Sequence, residues 1–158
     1  MKNQYFGDVN DYRKYGLLRA LTEDGRRSLA VCWMLTPDDS RGDGRFTDYL
    51  TQPDKWSAYD PALFDVLRAR VHERGERHIR HAEDGPILPS VRFFSRLLPD
   101  DAPGRASYFE AFWEMAAGRE LIFFDPDNGI EVQSTPYGRK GSSKYLYWNE
   151  LSRAVQRS

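Results

Sequence analysis

The chain has one cysteine and no long apolar run. Cys32 stands alone among 158 residues, so no disulfide forms within the chain, and one chain cannot build a zinc centre from thiolates. No segment approaches the roughly 20 apolar residues of a membrane-spanning helix. The first residues also lack the apolar core of a signal peptide. We therefore expect a cytoplasmic, soluble protein with no membrane partner.

An excess of charge of either sign is also missing. The 23 Lys and Arg residues nearly balance 24 Asp and Glu residues, which leaves a net charge of −1. The surface as a whole is therefore not the basic surface of a dedicated nucleic-acid binder, although a local basic patch stays open. Aromatic residues are abundant, at 14%, and can build a core. The length predicts a single domain over residues 1–158.

Apolar runs and helical stripes alternate along the chain. Apolar runs at Ser28–Thr36 and from Leu121 predict buried strands. The pattern favours helices over Asp8–Leu21, after Asp60-Pro61, over Gly104–Ala117 and over Ser142–Gln156, with ambiguous strands at Arg77–Ala82 and Val91–Leu97. This alternation predicts a small α/β, Rossmann-like three-layer sandwich with a mainly parallel sheet. No further strand follows the last helix, so we expect either a small sheet or a shortened fold.

The most informative segment follows the second apolar run. The residues Leu121–Phe124 lead directly into Asp125-Pro126-Asp127-Asn128-Gly129-Ile130-Glu131. The run predicts a strand buried on both faces, and Pro126 forces the chain to leave the sheet. Ligands of open α/β sheets bind just past the carboxyl ends of strands, so we predict catalytic roles for Asp125, Asp127 and Asn128. An ordinary turn, with Asp and Asn bonded to their own backbone, is the alternative.

The same carboxylates suit a second chemistry. Asp125, Asp127 and Glu131 offer the oxygen ligands that Mg²⁺ or Mn²⁺ prefers. A metal held there would support a phosphoester hydrolase or nuclease.

A cationic segment lies at the predicted start of the last helix. Helix N-termini and cations attract phosphate, which predicts a phosphate- or nucleic-acid-binding role. The residues concerned are Arg139, Lys140, Ser142, Ser143 and Lys144. The spacing is not that of a P-loop, and a solvated loop with a serine cap is the alternative.

Two further polar segments precede or follow the first strand. The first helix carries a dense polar run over residues 7–16, in which Tyr12 and Tyr15 either stack on a base or belong to the core. The loop Pro37–Arg45 contains Gly42 and Gly44, and ligand binding and simple turn chemistry both stay open for it.

Three parts of the chain carry a resemblance to known families. Residues 7–18, 29–45 and 120–131 resemble the Rossmann-like methyltransferases that carry an Asp-Pro-Pro-Tyr motif. Closest in layout are the large-subunit ribosomal RNA adenine-N6 methyltransferases and the three-Cys-motif partner proteins. The chain also resembles an uncharacterised bacterial and phage family with the motifs Gly-Asp-x-x-Asp-Tyr-x-Lys-Tyr-Gly, Asp-Pro-Asp-Asn-Gly and Gly-Arg-Lys-x-Ser-Ser-Lys-Tyr.

The resemblance implies a nucleotide or nucleic acid as substrate. It implies that Asp125 accepts a hydrogen bond from a target amine, with Asp127 and Asn128 replacing the second proline and the aromatic of the motif. It also implies an S-adenosylmethionine pocket, for which the candidate residues are Asp11, Lys14, Tyr15, Gly42 and Gly44. The first hypothesis is thus a methyltransferase-like enzyme. A metal-dependent hydrolase and a non-catalytic nucleotide- or partner-binding module are the alternatives, and homo-oligomerisation stays open.

Overall fold

A computed structural model describes residues 1–40 and 42–155, with backbone alone for 153–155. The helices are α1 (Val9–Leu21), α2 (Pro53–Trp56), α3 (Pro61–Leu67), α4 (Arg80–Glu83), α5 (Ala102–Ala116) and α6 (Trp148–Val155), and the strands are β1 (Leu29–Cys32), β2 (Val91–Phe94) and β3 (Leu121–Phe124). Their contacts group into two compact units. The sheet unit contains Met1, Leu29–Pro37 and the described residues from Arg92 onward, and the helical unit contains Lys2–Ser28 and Asp38–Val91. The single-domain interpretation stays a prediction.

The sheet is small and parallel. Its three strands lie in the order β2-β1-β3, and β1 pairs with β3 in the register Leu29↔Leu121 to Cys32↔Phe124. Beyond β1, a parallel bridge joins Leu35 to Leu97. The predicted α/β class and the parallel sheet are therefore confirmed.

The prediction that β3 is buried on both faces is wrong. The central strand β1 is buried at all four positions, whereas Ile122 of β3 is 38% exposed. Strand β3 lies at an edge of the described sheet, so one of its sides has no neighbouring strand. A short apolar run does not distinguish an edge strand from a central one.

Helix α5 covers one face of the sheet. Asp101 caps its first turn, because the Asp101 carboxylate accepts the Gly104 N–H at 2.8 Å. Phe109, Phe112 and Trp113 surround Phe124 of β3, with ring centroids 5.3–6.2 Å apart. The predicted helix over Gly104–Ala117 is thus confirmed, and its aromatic stripe forms the core of the sheet unit.

The helical unit has an aromatic core of its own. Asp8 caps α1 and Asp60 caps α3, as the sequence predicts for the two helix starts. Helix α3 continues into a π-helical turn over Arg68–Glu73. The rings of Tyr12, Tyr49, Trp56 and Phe64 contact one another at centroid distances of 5.3–6.5 Å.

Two secondary-structure predictions need correction. The ambiguous strand at Arg77–Ala82 is wrong, because Arg80–Glu83 forms the short helix α4. The predicted helix Ser142–Gln156 is interrupted: a 3-10 turn over Ser142–Lys144 is followed by a parallel bridge between Leu146 and Ile130, and α6 begins only at Trp148. Gln156 lies outside the described residues. Within the described residues, no helix has the length and apolar character needed to cross a membrane.

Candidate functional site

The strand order indicates that a site would lie at the carboxyl ends of the strands. Strand β2, which follows β1 in the chain, lies on one side of β1, and strand β3 lies on the other side. The carboxyl ends of β1 and β3 therefore flank the point where the strand order reverses. In open α/β sheets this is where ligands bind.

Three oxygen atoms converge on one nitrogen beyond the carboxyl ends of β1 and β3. The α-ammonium of Met1 lies 3.0 Å from the Asp125 carbonyl oxygen, 3.4 Å from the Met34 carbonyl oxygen and 2.7 Å from Asp127 Oδ1. The two charged groups are almost completely buried, with 2% and 4% of their surfaces exposed. We call this arrangement the amine cradle. The nitrogen that lies in it is that of the protein's own Met1.

Backbone strain accompanies the cradle. Met34 has a φ of 47°, in the left-handed region that non-glycine residues rarely occupy. It lies two residues beyond the end of β1, and it is fully buried. Residues held in such conformations cluster at functional sites, where the surrounding structure enforces them.

The acidic turn is fixed to the sheet and to the segment that follows it. The Asp125 N–H donates to the Cys32 carbonyl at 3.0 Å, which extends the ladder between β1 and β3 by one bond. Asp127 Oδ2 accepts a 2.7 Å hydrogen bond from the Thr36 hydroxyl. The exposed Asn128 donates its N–H to the Lys144 carbonyl at 2.8 Å. Both carboxylate oxygens of Asp127 thus contact groups of the protein itself. Asp125, two residues earlier, is half-buried.

Glu131 has a different local role. One carboxylate oxygen accepts the Trp148 N–H at 3.0 Å, at the first residue of α6. Such a contact satisfies a backbone donor at the start of a helix and suits the helix dipole. Among the described residues, no group of three or more His, Cys, Asp or Glu side chains is placed to hold a metal ion. The metal-dependent alternative on Asp125, Asp127 and Glu131 stays a prediction.

The cationic segment surrounds an anion that belongs to the protein itself. The two Asp100 carboxylate oxygens each accept a 2.8 Å hydrogen bond, one from Gly141 N–H and the other from Ser143 N–H. The Ser142 hydroxyl donates to the Asp100 carbonyl at 2.7 Å. Burial raises the pKa of Asp100, but these hydrogen bonds and the charge of Arg105 outweigh it and lower the pKa. The backbone donors of this segment thus bind a carboxylate, while Arg139 and Lys140 are exposed.

A buried ion pair supports the same segment. Arg105 is completely buried in α5 and forms two 2.9 Å hydrogen bonds with the carboxylate of Glu150. Its remaining donors reach the carbonyls of Ser142 and Tyr145, at 2.8 and 2.9 Å. One guanidinium therefore joins α5, the 3-10 turn and α6.

Sequence reasoning missed four residues of this unit: Thr36, Asp100, Arg105 and Glu150. One of them carries a recognisable signal. Arg105 lies three and four residues before Tyr108 and Phe109, so a cation stands on the apolar face of a predicted helix. A charge in that position indicates a buried ion pair. The partners of Asp100 and Thr36 lie 41 to 91 positions away and leave no local pattern.

The first-helix candidates lie together in the helical unit. Lys14 Nζ is 2.8 Å from Asp11 Oδ1, and Asp11 Oδ2 accepts hydrogen bonds from the Tyr15 hydroxyl and the Gly7 N–H, both at 3.1 Å. Asp11 and Tyr15 are buried. These contacts give the three residues a structural role within α1.

The two candidate glycines differ. Gly44 has a φ of 74°, and a Cβ atom there would lie 2.1 Å from the Tyr5 ring, so both backbone and packing require glycine. Gly42 is exposed, and no residue that the structure describes, its two chain neighbours aside, lies within 4 Å of a Cβ atom built there.

No protein-family model, no curated protein and no solved structure matches this chain.

Proposed function

We propose that the protein is a Rossmann-like enzyme that acts on a nucleotide or nucleic acid, with S-adenosylmethionine as the methyl donor. The observation that carries the proposal is the amine cradle at the carboxyl ends of β1 and β3. A carbonyl at the end of each strand and a carboxylate of the Asp-Pro-Asp-Asn turn converge there on a nitrogen. Transfer of a methyl group to a base amine needs acceptors of this kind around the amine.

Asp125 is the residue assigned to the target amine. Its backbone N–H is bonded to Cys32 of β1, its carbonyl oxygen belongs to the cradle, and the residue is half-buried. By accepting a hydrogen bond from the amine, it would fix the orientation of the nitrogen lone pair. Holding a reacting group in one orientation is a large part of enzymatic rate enhancement. A substrate nitrogen that enters the cradle itself must displace the nitrogen of Met1.

The assignment of S-adenosylmethionine rests on the family resemblance. When bound, this cofactor supplies an electrophilic methyl group. The proposal keeps Asp11, Lys14, Tyr15, Gly42 and Gly44 as its binding residues, and Lys14 is the one with a charged group that stays partly exposed, at 15%. The ion pair between Asp11 and Lys14 leaves that ammonium oriented by a buried partner.

The test has a binding arm and an activity arm. S-adenosylmethionine at a hundred times its dissociation constant stabilises a protein by about 2.7 kcal/mol, which a thermal melt detects. Methyl transfer from radiolabelled S-adenosylmethionine is then measured on ribosomal RNA and on nucleotides. We expect Asp125→Ala to abolish transfer and to keep the thermal shift.

The matched control is Glu110→Ala, which removes an exposed carboxylate of α5. This variant should transfer methyl groups at the wild-type rate. Wild-type transfer by Asp125→Ala would overturn the role of Asp125, and the absence of any shift with S-adenosylmethionine would overturn the cofactor.

A further inference from the structure

The helical unit contains a cleft that the proposed function does not use. Its volume is about 740 Å³, which is within the usual range for sites that bind small molecules. One wall is the face of α1 that carries Tyr12, Arg13 and Gly16, and the other is formed by Trp56, Tyr59 and Asp60. We call it the aromatic cleft.

Gly16 lies on the wall of the aromatic cleft that α1 forms. It lies inside α1 with an ordinary helical conformation, and apart from the backbone of its own helix no heavy atom of the described residues lies within 4 Å of a Cβ atom built there. Glycine weakens a helix interior relative to alanine. Neither the backbone nor the packing of the described residues requires it, but a ligand lying against the helix would.

Two aromatic rings stand at the opening. Tyr59 is 79% exposed, and its ring centroid lies 6.2 Å from that of Trp56. Trp56 is fixed from behind by edge contacts with Tyr12 and Tyr49. The Tyr12 hydroxyl is fixed as well, since it donates to the Trp56 carbonyl at 2.9 Å and accepts the Asp60 N–H at 3.1 Å. The exposed Tyr59 ring, tilted by 53° from the Trp56 ring, provides a surface on which a base can stack.

The charges of the aromatic cleft are unevenly distributed. Arg19 lies 2.8 Å from Asp60 Oδ2 and 3.4 Å from Asp24 Oδ1, and further Arg19 donors reach the carbonyls of Pro86 and Ile87. Both lining carboxylates are therefore close to Arg19. The exposed Arg13 lies over the Trp56 ring, at 5.8 Å from its centroid, and places a second cation beside the aromatic rings.

We propose that the aromatic cleft binds a nucleobase together with its phosphate. The base would stack on the exposed Tyr59 ring beside Gly16, and the phosphate would lie next to Arg13. Stacking tolerates any base, because every base has a π-face, and Arg13 selects the anionic group. The source of the base is a free nucleotide or a single-stranded nucleic acid. The inference is independent of the amine cradle and of S-adenosylmethionine.

The experiment is calorimetric titration of the whole chain. The probes are adenosine 5′-monophosphate, adenosine, ribose 5-phosphate and single-stranded hexadeoxyadenylate. We expect the monophosphate to bind more tightly than adenosine and ribose 5-phosphate not to bind. Binding of the monophosphate indicates a free nucleotide as the source, and binding of the hexamer alone indicates a nucleic acid. Binding of neither overturns the proposal.

Three variants locate the binding. Tyr59→Ala removes an exposed ring and should weaken binding of the probe about 5- to 100-fold, the effect typical of a lost stacking contact. Gly16→Leu places a side chain in the space next to α1 and should weaken binding of the probe at least about tenfold. Arg13→Ala should weaken binding of the monophosphate and leave adenosine unchanged.

The controls are matched in exposure and in unit. Phe46→Ala removes another exposed ring, at 70% exposure, and Arg26→Ala removes a cation whose side chain is 82% exposed. Both should bind the probes like the wild type. If Tyr59→Ala and Gly16→Leu also bind like the wild type while melting cooperatively, the ligand lies elsewhere and the proposal is wrong.

Discussion

Asp100 accepts the backbone N–H of Gly141 at 2.8 Å, across 41 positions of the chain. A second bond, from Ser143 N–H, joins the same carboxylate to the 3-10 turn of the cationic segment, which precedes α6. Replacing Asp100 by Asn removes the charge and one acceptor, so we expect a loss of about 1–2 kcal/mol in the free energy of unfolding. Chemical denaturation measures it.

The same carboxylate predicts a pH dependence. The pKa of folded Asp100 is lowered, so its contribution to stability is fully present above the unfolded value of about 3.9. That contribution is lost as the pH falls through the lower pKa of the folded protein. The difference in stability between wild type and Asp100→Asn should therefore shrink in acid. Asp101→Asn is the control, since asparagine also caps helices well and should cost little.

Breaking the buried pair of Arg105 and Glu150 should be among the most destabilising polar changes in the sheet unit. Arg105→Met leaves the Glu150 carboxylate buried without its partner, for which we expect a loss of about 3–5 kcal/mol. Arg105→Lys should restore little of it, because an ammonium cannot reproduce the two parallel bonds to Glu150 and the bonds to two carbonyls. Full stability of Arg105→Lys would contradict this explanation. Denaturant unfolding compares the three proteins.

Asp127 should matter for stability as well as for the amine cradle. Asp127→Ala leaves the buried Met1 ammonium and the Thr36 hydroxyl without their carboxylate, and we expect a loss of about 3–5 kcal/mol. Thr36→Val removes the 2.7 Å hydrogen bond alone and should cost about 1–2 kcal/mol. Equal losses in the two variants would show that the ion pair contributes nothing. The melting temperatures at neutral pH provide the comparison.

Two glycines at the start of the helical unit should respond in opposite directions to alanine. Gly7 has a φ of 80°, and a Cβ atom would lie 2.3 Å from Val71 Cγ2, so Gly7→Ala should destabilise by about 2–4 kcal/mol. The methyl group of Gly16→Ala would meet no residue of the described chain outside its own helix, so this change should stabilise α1 by about 0.5–1 kcal/mol. Adding Val71→Ala to Gly7→Ala separates the steric clash from the backbone strain, because only the clash is relieved.

The single thiol should be inert in the folded protein. Cys32 is fully buried in β1, with its sulfur 3.4 Å from the Tyr108 hydroxyl, and burial raises the pKa of the thiol to about 12. We expect Ellman's reagent to label one thiol per chain in denaturant and none in the native protein at pH 8. Rapid labelling of the native protein would show that β1 opens readily.

The parts of this protein that could be predicted from sequence are those defined by neighbouring residues. The stripe of Tyr108, Phe109 and Phe112 predicted α5, and Asp60 before Pro61 predicted the start of α3. The position of Asp125 at the end of a strand was predicted in the same way. The break between Lys144 and Trp148 was not, because it depends on the pairing of Leu146 with Ile130.

The contacts within the candidate site could not be predicted from the sequence. Asp127 was predicted to act on a substrate or a metal, yet it contacts the nitrogen of Met1 and the hydroxyl of Thr36. The cationic segment was predicted to bind phosphate, yet its backbone donors bind Asp100. The residue types of the cationic segment indicated an anion without identifying it, whereas those of the acidic turn did not indicate the ammonium and the hydroxyl that Asp127 contacts. The predicted substrate and metal roles of these residues stay predictions.

The sequence by itself determined the α/β class, the main helices and the acidic turn after β3, because periodicity, caps and turn residues act over a few positions of the chain. Only the tertiary structure decided which charges meet, since the partners of Asp100, Arg105 and Asp127 lie between 37 and 126 positions away. Burial then makes each of these pairs costly to break, and burial is a property of the folded chain.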